Sequence, residues 1–242
     1  MLIVTKGIVL HTVDYSETSV IVKVFTEQFG MQSYLVKGVR KARSKIKRNL
    51  FGPLSLVEIV AYRKENTGLS VARDVTCHVQ LNHIASDIRK MAVAVFINEL
   101  VYRSIQGEMP DQQLYNFLYR TVLDLDSADI SVAGFHLVFA MQLAHHLGFG
   151  PHDNYTPANN FFDLQEAYFR DHPPDHPYYL AEPLSRFWHE LIGFPDGRAL
   201  PQDFTYSVRK ALLDRLMDYF RLHVPAFGEM KSHHVLNEVF RD

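Results

Sequence analysis

Cysteine and tryptophan are nearly missing from this chain of 242 residues, which carries one of each. A lone cysteine, Cys77, excludes an internal disulfide and any zinc site built from several cysteines. It also suits a reducing compartment. Long apolar runs are absent too, and none approaches the roughly 20 residues that span a bilayer. The opening MLIVTKGIVLHTVDYSE is interrupted by Lys6, His11 and Asp14, unlike the unbroken apolar stretch of a signal peptide. The expectation is a cytosolic protein without membrane contact. There is no excess of one charge, with 25 Lys+Arg against 27 Asp+Glu, and hydrophobic residues make up 47%. That composition excludes disordered and collagen-like chains. Signature motifs of catalysis are lacking as well: there is no P-loop, no G-x-G-x-x-G and no G-x-S-x-G, and His189-Glu190 has no second histidine three residues on. No catalytic residue and no cofactor is expected.

The near-neutral total conceals an asymmetry. Residues 1–80 hold 12 Lys+Arg and 6 Asp+Glu, a net of +6, whereas residues 81–242 hold 13 and 21, a net of −8. Segments of opposite sign imply surfaces with different partners.

Periodicity changes at the same place. The first part reads as strands over Ile3–Leu10, Ser19–Phe25, Gln32–Val39, Pro53–Tyr62 and Leu69–Val75, with Gly30 closing one turn and Glu65-Asn66-Thr67-Gly68 another. Five short strands with close turns predict a small barrel. The second part repeats near 3.6 residues. Helices are expected over Ile84–Ile105, from Pro110 through Leu125, over Val132–Leu147 with Gly148 as its stop, over Asp203–Leu222 and over Lys231–Phe240. The fold class is therefore α+β: a five-stranded barrel over 1–79, then a helical-bundle domain over 80–242 with an irregular insert at about 149–182, in which Asn160–Leu164 and Tyr178–Leu180 read as short strands.

One segment carries most of the chemistry. From Lys37 to Arg48, seven of twelve residues are basic and none is acidic. A cluster of this kind neutralises phosphates and releases their counterions, which is how proteins bind nucleic acid regardless of sequence. An acidic protein partner is the other reading. Arg63 and Lys64 near the next turn, and Lys6 and Lys23 on strands, extend the charge, while Tyr15, Tyr34, Phe51 and Tyr62 offer rings on which bases can stack. Cys77 reads as a buried thiol, and Asp124, Asp126 and Asp129 as a solvated helix end.

Several pieces in order, G-I-V-L-H-T-x-D-Y-x-E-T-S, F-T-E-x-x-G, K-G-V-R-K-A-R-S, Asn98-Glu99-Leu100, H-H-L-G-F-G-P and D-Y-F-R-L-H-V-P-x-F-G-E-M-K-S, resemble the bacterial recombination-repair mediator family RecO across nearly the whole chain. The resemblance implies that the barrel is an OB-fold. It implies binding of single- and double-stranded DNA, annealing of complementary strands and loading of a recombinase onto coated single strands. The implied partners are RecR and the C-terminal tail of single-strand binding protein. Lys37, Arg40, Lys41 and Arg43 carry over as DNA contacts; Lys45, Lys47 and Arg48 join them on charge alone. Arg103, Arg120, Arg209, Lys210 and Arg215 are candidates for holding an acidic tail.

Many RecO relatives have a four-cysteine zinc module after the G-x-x-P segment, and this chain departs from them. From Gly150 to Glu182 it has no cysteine, and His145, His146, His152, His172 and His176 are the only histidines close by. Neighbouring His145 and His146 would point to different sides of a helix. No metal site is expected, and Phe161, Phe162, Tyr168, Tyr178 and Tyr179 are expected to pack the segment instead.

Overall fold

The computed structural model describes residues 1–39, 45–62, 68–105, 107, 109–195 and 198–241. The chain forms two compact units, one of Met1–Ser86 with Ile105–Asp126 and the other of Asp87–Ser104 with Ser127–Asp242.

In the first unit, strands β1 (Leu2–Asp14), β2 (Val20–Thr26), β3 (Gly30–Val36), β4 (Leu56–Tyr62) and β5 (Ser70–Val79) close in the order β1-β2-β3-β5-β4. Closure depends on β1. Its first half pairs with β4 from Leu2↔Tyr62 to Ile8↔Leu56, and its second half pairs with β2 from Gly7↔Thr26 to Asp14↔Val20. A strand shared in this way must coil strongly, and a register shift between Val9 and His11 supplies the bend. The ring is completed by a short parallel contact, Tyr34↔Ser70 and Leu35↔Val71. Alternation then fills the interior: Val20, Val22 and Val24 point inward with Tyr34, Val36, Ile59 and Ala61. Gly30 ends the β2–β3 turn at φ 64°, as its position implies. Buried Thr26 holds that turn, accepting from the Phe29 N–H at 3.1 Å and donating to the Gly30 carbonyl at 2.8 Å.

Residues beyond the barrel return to it. The helix α3 (Gln112–Asp126) belongs to the barrel's unit, where Tyr115 packs against Phe25 with ring centroids 6.3 Å apart. Asp126 accepts from the backbone N–H groups of Asn82, His83 and Ile84 at 3.1, 2.9 and 2.8 Å, capping the short helix α1 (Asn82–Ser86). The acid expected to be solvated is thus a cap, since the first N–H groups of a helix need acceptors. The helix expected over 84–105 is broken at Asp87, whose carboxylate takes the Arg89 N–H at 2.7 Å and so starts α2 (Ile88–Ser104) afresh. Cys77 is exposed rather than buried, because β5 runs past the core after Val75.

The second unit packs α2 with α4 (Phe135–His146), α5 (Leu184–Ile192), α6 (Tyr206–His223) and α7 (Ser232–Val239). Helix α4 is apolar on nearly every face and is buried accordingly. It stops in the pattern expected at Gly148: with Gly148 at φ 85°, the Gly148 N–H reaches His145 and the Phe149 N–H reaches Ala144. A Cβ on Gly150 would lie 2.0 Å from the His145 ring nitrogen, so H-H-L-G-F-G-P describes a turn folded tightly onto its own histidine. Phe149 in turn stacks on His223 at 5.4 Å and meets Phe220 edge-on at 5.3 Å. Glu99 on α2 accepts from the N–H groups of Lys231 and Ser232 at the start of α7 and pairs with Arg103 at 2.9 Å. That contact brings the Asn98-Glu99-Leu100 and E-M-K-S pieces together.

The segment expected to be irregular contains a three-stranded sheet, ordered β7 (Tyr168–Arg170), β6 (Phe161–Asp163), β8 (Tyr179–Leu180). Its Phe162 is fully buried against Phe169, Trp188 and Tyr219. The sequence reading lacks β7 and α5. Each is short, and α5 follows a proline-rich run that masks its start.

Burial places one proton-sensitive group at the centre of this unit. His136 lies between Phe96 and Phe240, and burial first, then Arg209, pushes its pKa down to about 3. Burial likewise lowers His145 and His233. A group whose folded pKa is depressed contributes stability above its unfolded pKa and loses it as pH falls towards the folded value. Stability should therefore fall between about pH 6.5 and 3, at about 1.4 kcal/mol per pH unit for one such histidine. Denaturant melts at successive pH values should show this slope, and His136→Leu should flatten it.

Candidate nucleic-acid interface

The basic segment begins where β3 ends. Lys37 is exposed, and Val39 two residues later is buried in the barrel core. Lys45, Lys47 and Arg48 are exposed, while Ile46 between them and Phe51 just after are buried. A 3-10 turn over Arg48–Phe51 carries the chain back to β1, where Val9 exchanges backbone hydrogen bonds with Leu54 and Ser55 at 3.1 and 2.9 Å, and Thr12 donates to the Phe51 carbonyl at 3.2 Å. The described part of this segment is therefore fixed by apolar anchors at Val39, Ile46 and Phe51, with its basic side chains standing in solvent between them. Arg48 pairs with Asp14 at 3.2 Å, both exposed, a contact worth only about 0–1 kcal/mol. A phosphate can compete for it.

Of the other expected contacts, Arg40, Lys41, Arg43, Arg63 and Lys64 lie outside the described residues. The strand ends beside them are adjacent: β3 runs out at Val36, and β5 begins at Ser70 opposite Tyr34. The four candidate rings separate cleanly. Tyr34 and Phe51 are core, whereas Tyr15 and Tyr62 are 61% and 51% exposed. Lys6 stands opposite Glu58, and Lys23 opposite His11 and Ser33. Burial and then the Lys23 charge lower the His11 pKa. The sequence reading passes over Ile21 and Leu35, which face outward between buried neighbours. Counting alternation from the core position Val22 identifies them.

The five candidates for an acidic tail divide between the two units. Arg120 lies on α3 in the first unit, and the others belong to the second. Arg103 is held by Glu99 and the Phe227 carbonyl, Arg215 by Asp218, and Arg209 donates to the Phe204 carbonyl at 2.6 Å. Arg209 and Lys210 line a narrow crevice with Tyr206, Asn237 and Phe240, and Lys210 is exposed.

Comparison with known families finds two models that match this chain: Recombination protein O N terminal over residues 1–79 and Recombination protein O C terminal over residues 85–184. The chain is 34% identical over 241 residues to the DNA repair protein RecO of Bacteroides fragilis, covering 99% of this chain and 100% of the relative. It is 32% identical to that of Flavobacterium psychrophilum over 244 residues, again with 99% and 100% covered.

The residues at the zinc-module position do not suit a metal. The buried carboxylate there, Asp163, is taken up by Arg170 at 3.0 Å and His176 at 3.4 Å, and by the N–H groups of Gln165 and Glu166 at 2.9 and 3.1 Å. A dication beside the Arg170 guanidinium would be repelled. Among the described residues, no three His, Cys, Asp or Glu side chains are placed to share one ion. Asp163→Ala leaves Arg170 without its counter-charge and should lower stability by about 3 kcal/mol. In the same thermal melts, EDTA should leave the wild-type midpoint unchanged; a downward shift with chelator would reveal a metal.

Proposed function

The chain belongs to the RecO family of DNA repair proteins, and on that premise we propose that it mediates homologous recombination by binding DNA through its barrel. It binds single- and double-stranded DNA, anneals complementary strands and helps to load recombinase onto single strands coated by single-strand binding protein, without catalysing a reaction itself. RecR and the acidic C-terminal tail of single-strand binding protein are its protein partners, and it works in the cytoplasm at the nucleoid. The observation that carries this reading is the anchored basic segment, where Lys37, Lys45 and Lys47 stand exposed around the buried residues Val39, Ile46 and Phe51. Phosphates neutralised on two strands repel each other less, and strands gathered on one basic surface meet at a higher local concentration. The −8 net charge of residues 81–242 disfavours DNA there and leaves the +6 segment as the DNA face.

A protein-interaction adaptor, with the basic segment gripping an acidic partner, is the competing reading. Salt dependence separates the two. Single-strand affinity should fall with salt at a log–log slope of about −0.7 per phosphate contacted, and duplex affinity at about −0.9. Charge reversal at Arg40, Lys41 and Arg43, or at Lys37, Lys45 and Lys47, should weaken both and flatten the slope. Salt-independent binding, or binding untouched by these changes, returns the segment to the adaptor reading.

We assign the tail of single-strand binding protein to Lys210 and the crevice that it lines with Arg209, Tyr206 and Phe240. A peptide ending in acidic and hydrophobic residues should bind the full chain, and Lys210→Glu should weaken it roughly tenfold, about 1.4 kcal/mol. An unchanged titration would place the tail elsewhere.

A further inference from the structure

The crevice beside Lys210 is lined by a histidine whose polar capacity the fold leaves unused. His136 on α4 is 5% exposed, and its Nδ1 has no hydrogen-bond partner among the described residues. A buried polar group without a partner costs free energy, so native proteins seldom keep one idle. Apolar rings hold it in place: Phe96 of α2 meets it edge-on at 5.8 Å, and Phe240 lies at 6.0 Å. The charges come from α6, where Arg209 is partly exposed and Lys210 is exposed. The Tyr206 hydroxyl already donates to the Asn237 carbonyl at 2.9 Å. Leu236 and Asn237 of α7 are uncharged, and although α5 also packs on α4, none of its described side chains lines the crevice or acts on the ring. Among the described residues, no acidic side chain lines the crevice.

Two cations and a neutral imidazole with no counter-charge beside them make a site short of one anion. The space is about that of one water molecule. A flat carboxylate can place an oxygen there, whereas the bulk of a tetrahedral phosphate stays outside. In the free protein the ring is neutral, because burial first and then Arg209 push its pKa down to about 3. A docked anion reverses that balance, since an opposite charge within about 4–6 Å favours the protonated form.

We propose that the crevice receives a carboxylate of an acidic peptide and that His136 takes up a proton as the peptide docks, closing a charge-assisted hydrogen bond to it. The inference rests on the assignment of the acidic tail to this crevice and adds its regulation. The proton comes from solvent, and no covalent bond of the peptide changes. The docked state thus holds one proton more than the free state, and linkage fixes the sign. Affinity rises as pH falls below the raised value of the docked ring, by up to about tenfold per pH unit, and is flat above it.

Isothermal titration calorimetry of the full chain with a histidine-free peptide ending in acidic and hydrophobic residues tests this between about pH 5 and 7.5, where the peptide's carboxylates stay largely ionised. Titrations at the acid end, in two buffers of different ionisation heat, should show uptake approaching one proton per peptide, a readout that needs no variant to fold. Affinity should rise roughly 3- to 30-fold across the range. Nitrogen NMR shifts of the His136 ring should move towards imidazolium when the peptide is added. His136→Leu, apolar like its surroundings, should abolish the uptake and flatten the profile, and inorganic phosphate at matched ionic strength should compete no better than chloride. Binding without proton uptake, uptake that persists in His136→Leu, an unmoved His136 ring, or displacement by phosphate would overturn the proposal. A peptide that fails to bind, or binds Lys210→Glu as well as wild type, would instead overturn the assignment of the tail to this crevice.

Discussion

Closing five strands on one another leaves no free sheet edge and almost no room inside. Everything functional about the first unit follows from that limit. The interior holds only side chains, and three of those, Val39, Ile46 and Phe51, come from the segment that joins β3 to β4. Their burial works as both core and tether. It holds the described lysines at fixed places on the rim, which a free basic loop could not do without spending conformational entropy on binding.

Carboxylates play the corresponding part where helices must be joined. Asp126 caps α1 across more than forty residues of chain, Glu99 caps α7 from α2, and Asp163 takes two backbone N–H groups, the Arg170 guanidinium and the His176 ring in the small sheet. Each acid satisfies backbone donors that a helix start or a turn leaves without a backbone acceptor. Hydrogen bonds from Ser232, Arg103 and Lys231 outweigh partial burial and hold the Glu99 carboxyl below its ordinary pKa. Its contribution is therefore present above the usual carboxylate range and is lost in acid, the same direction as His136. The acidic excess of residues 81–242 is in part a structural stock of capping groups and not solely a surface charge.

Much of the architecture was legible in the residues. The barrel's five strands, the fold class and the turn at Gly30 follow from alternation, β-branched content and turn residues, because those signals are local. Asp126 misled for the opposite reason: its three donors lie more than forty positions away, and nothing near it in sequence distinguishes a long-range cap from a solvated end. Cys77 misled because strict alternation stops mattering once a strand outruns the core. The interface divides in the same way. A run of seven bases in twelve residues is visible by inspection. Its anchors are not, since nothing near Ile46 or Phe51 in sequence marks them as core.

The segment from Gly150 to Glu182 carries no cysteine and is held by other means. A zinc module contributes folding energy through coordination, and removing the ligands from an otherwise unchanged segment would leave it without a core. What holds this chain's segment comes in two halves. Phe162 and Phe169 supply buried area against Trp188 and Tyr219, and Asp163 with Arg170 and His176 supplies the directional contacts that aromatic packing lacks. Neither half suffices alone. A buried ion pair costs desolvation that only a packed surround can offset, and a packed aromatic cluster without fixed polar contacts leaves register free to slip.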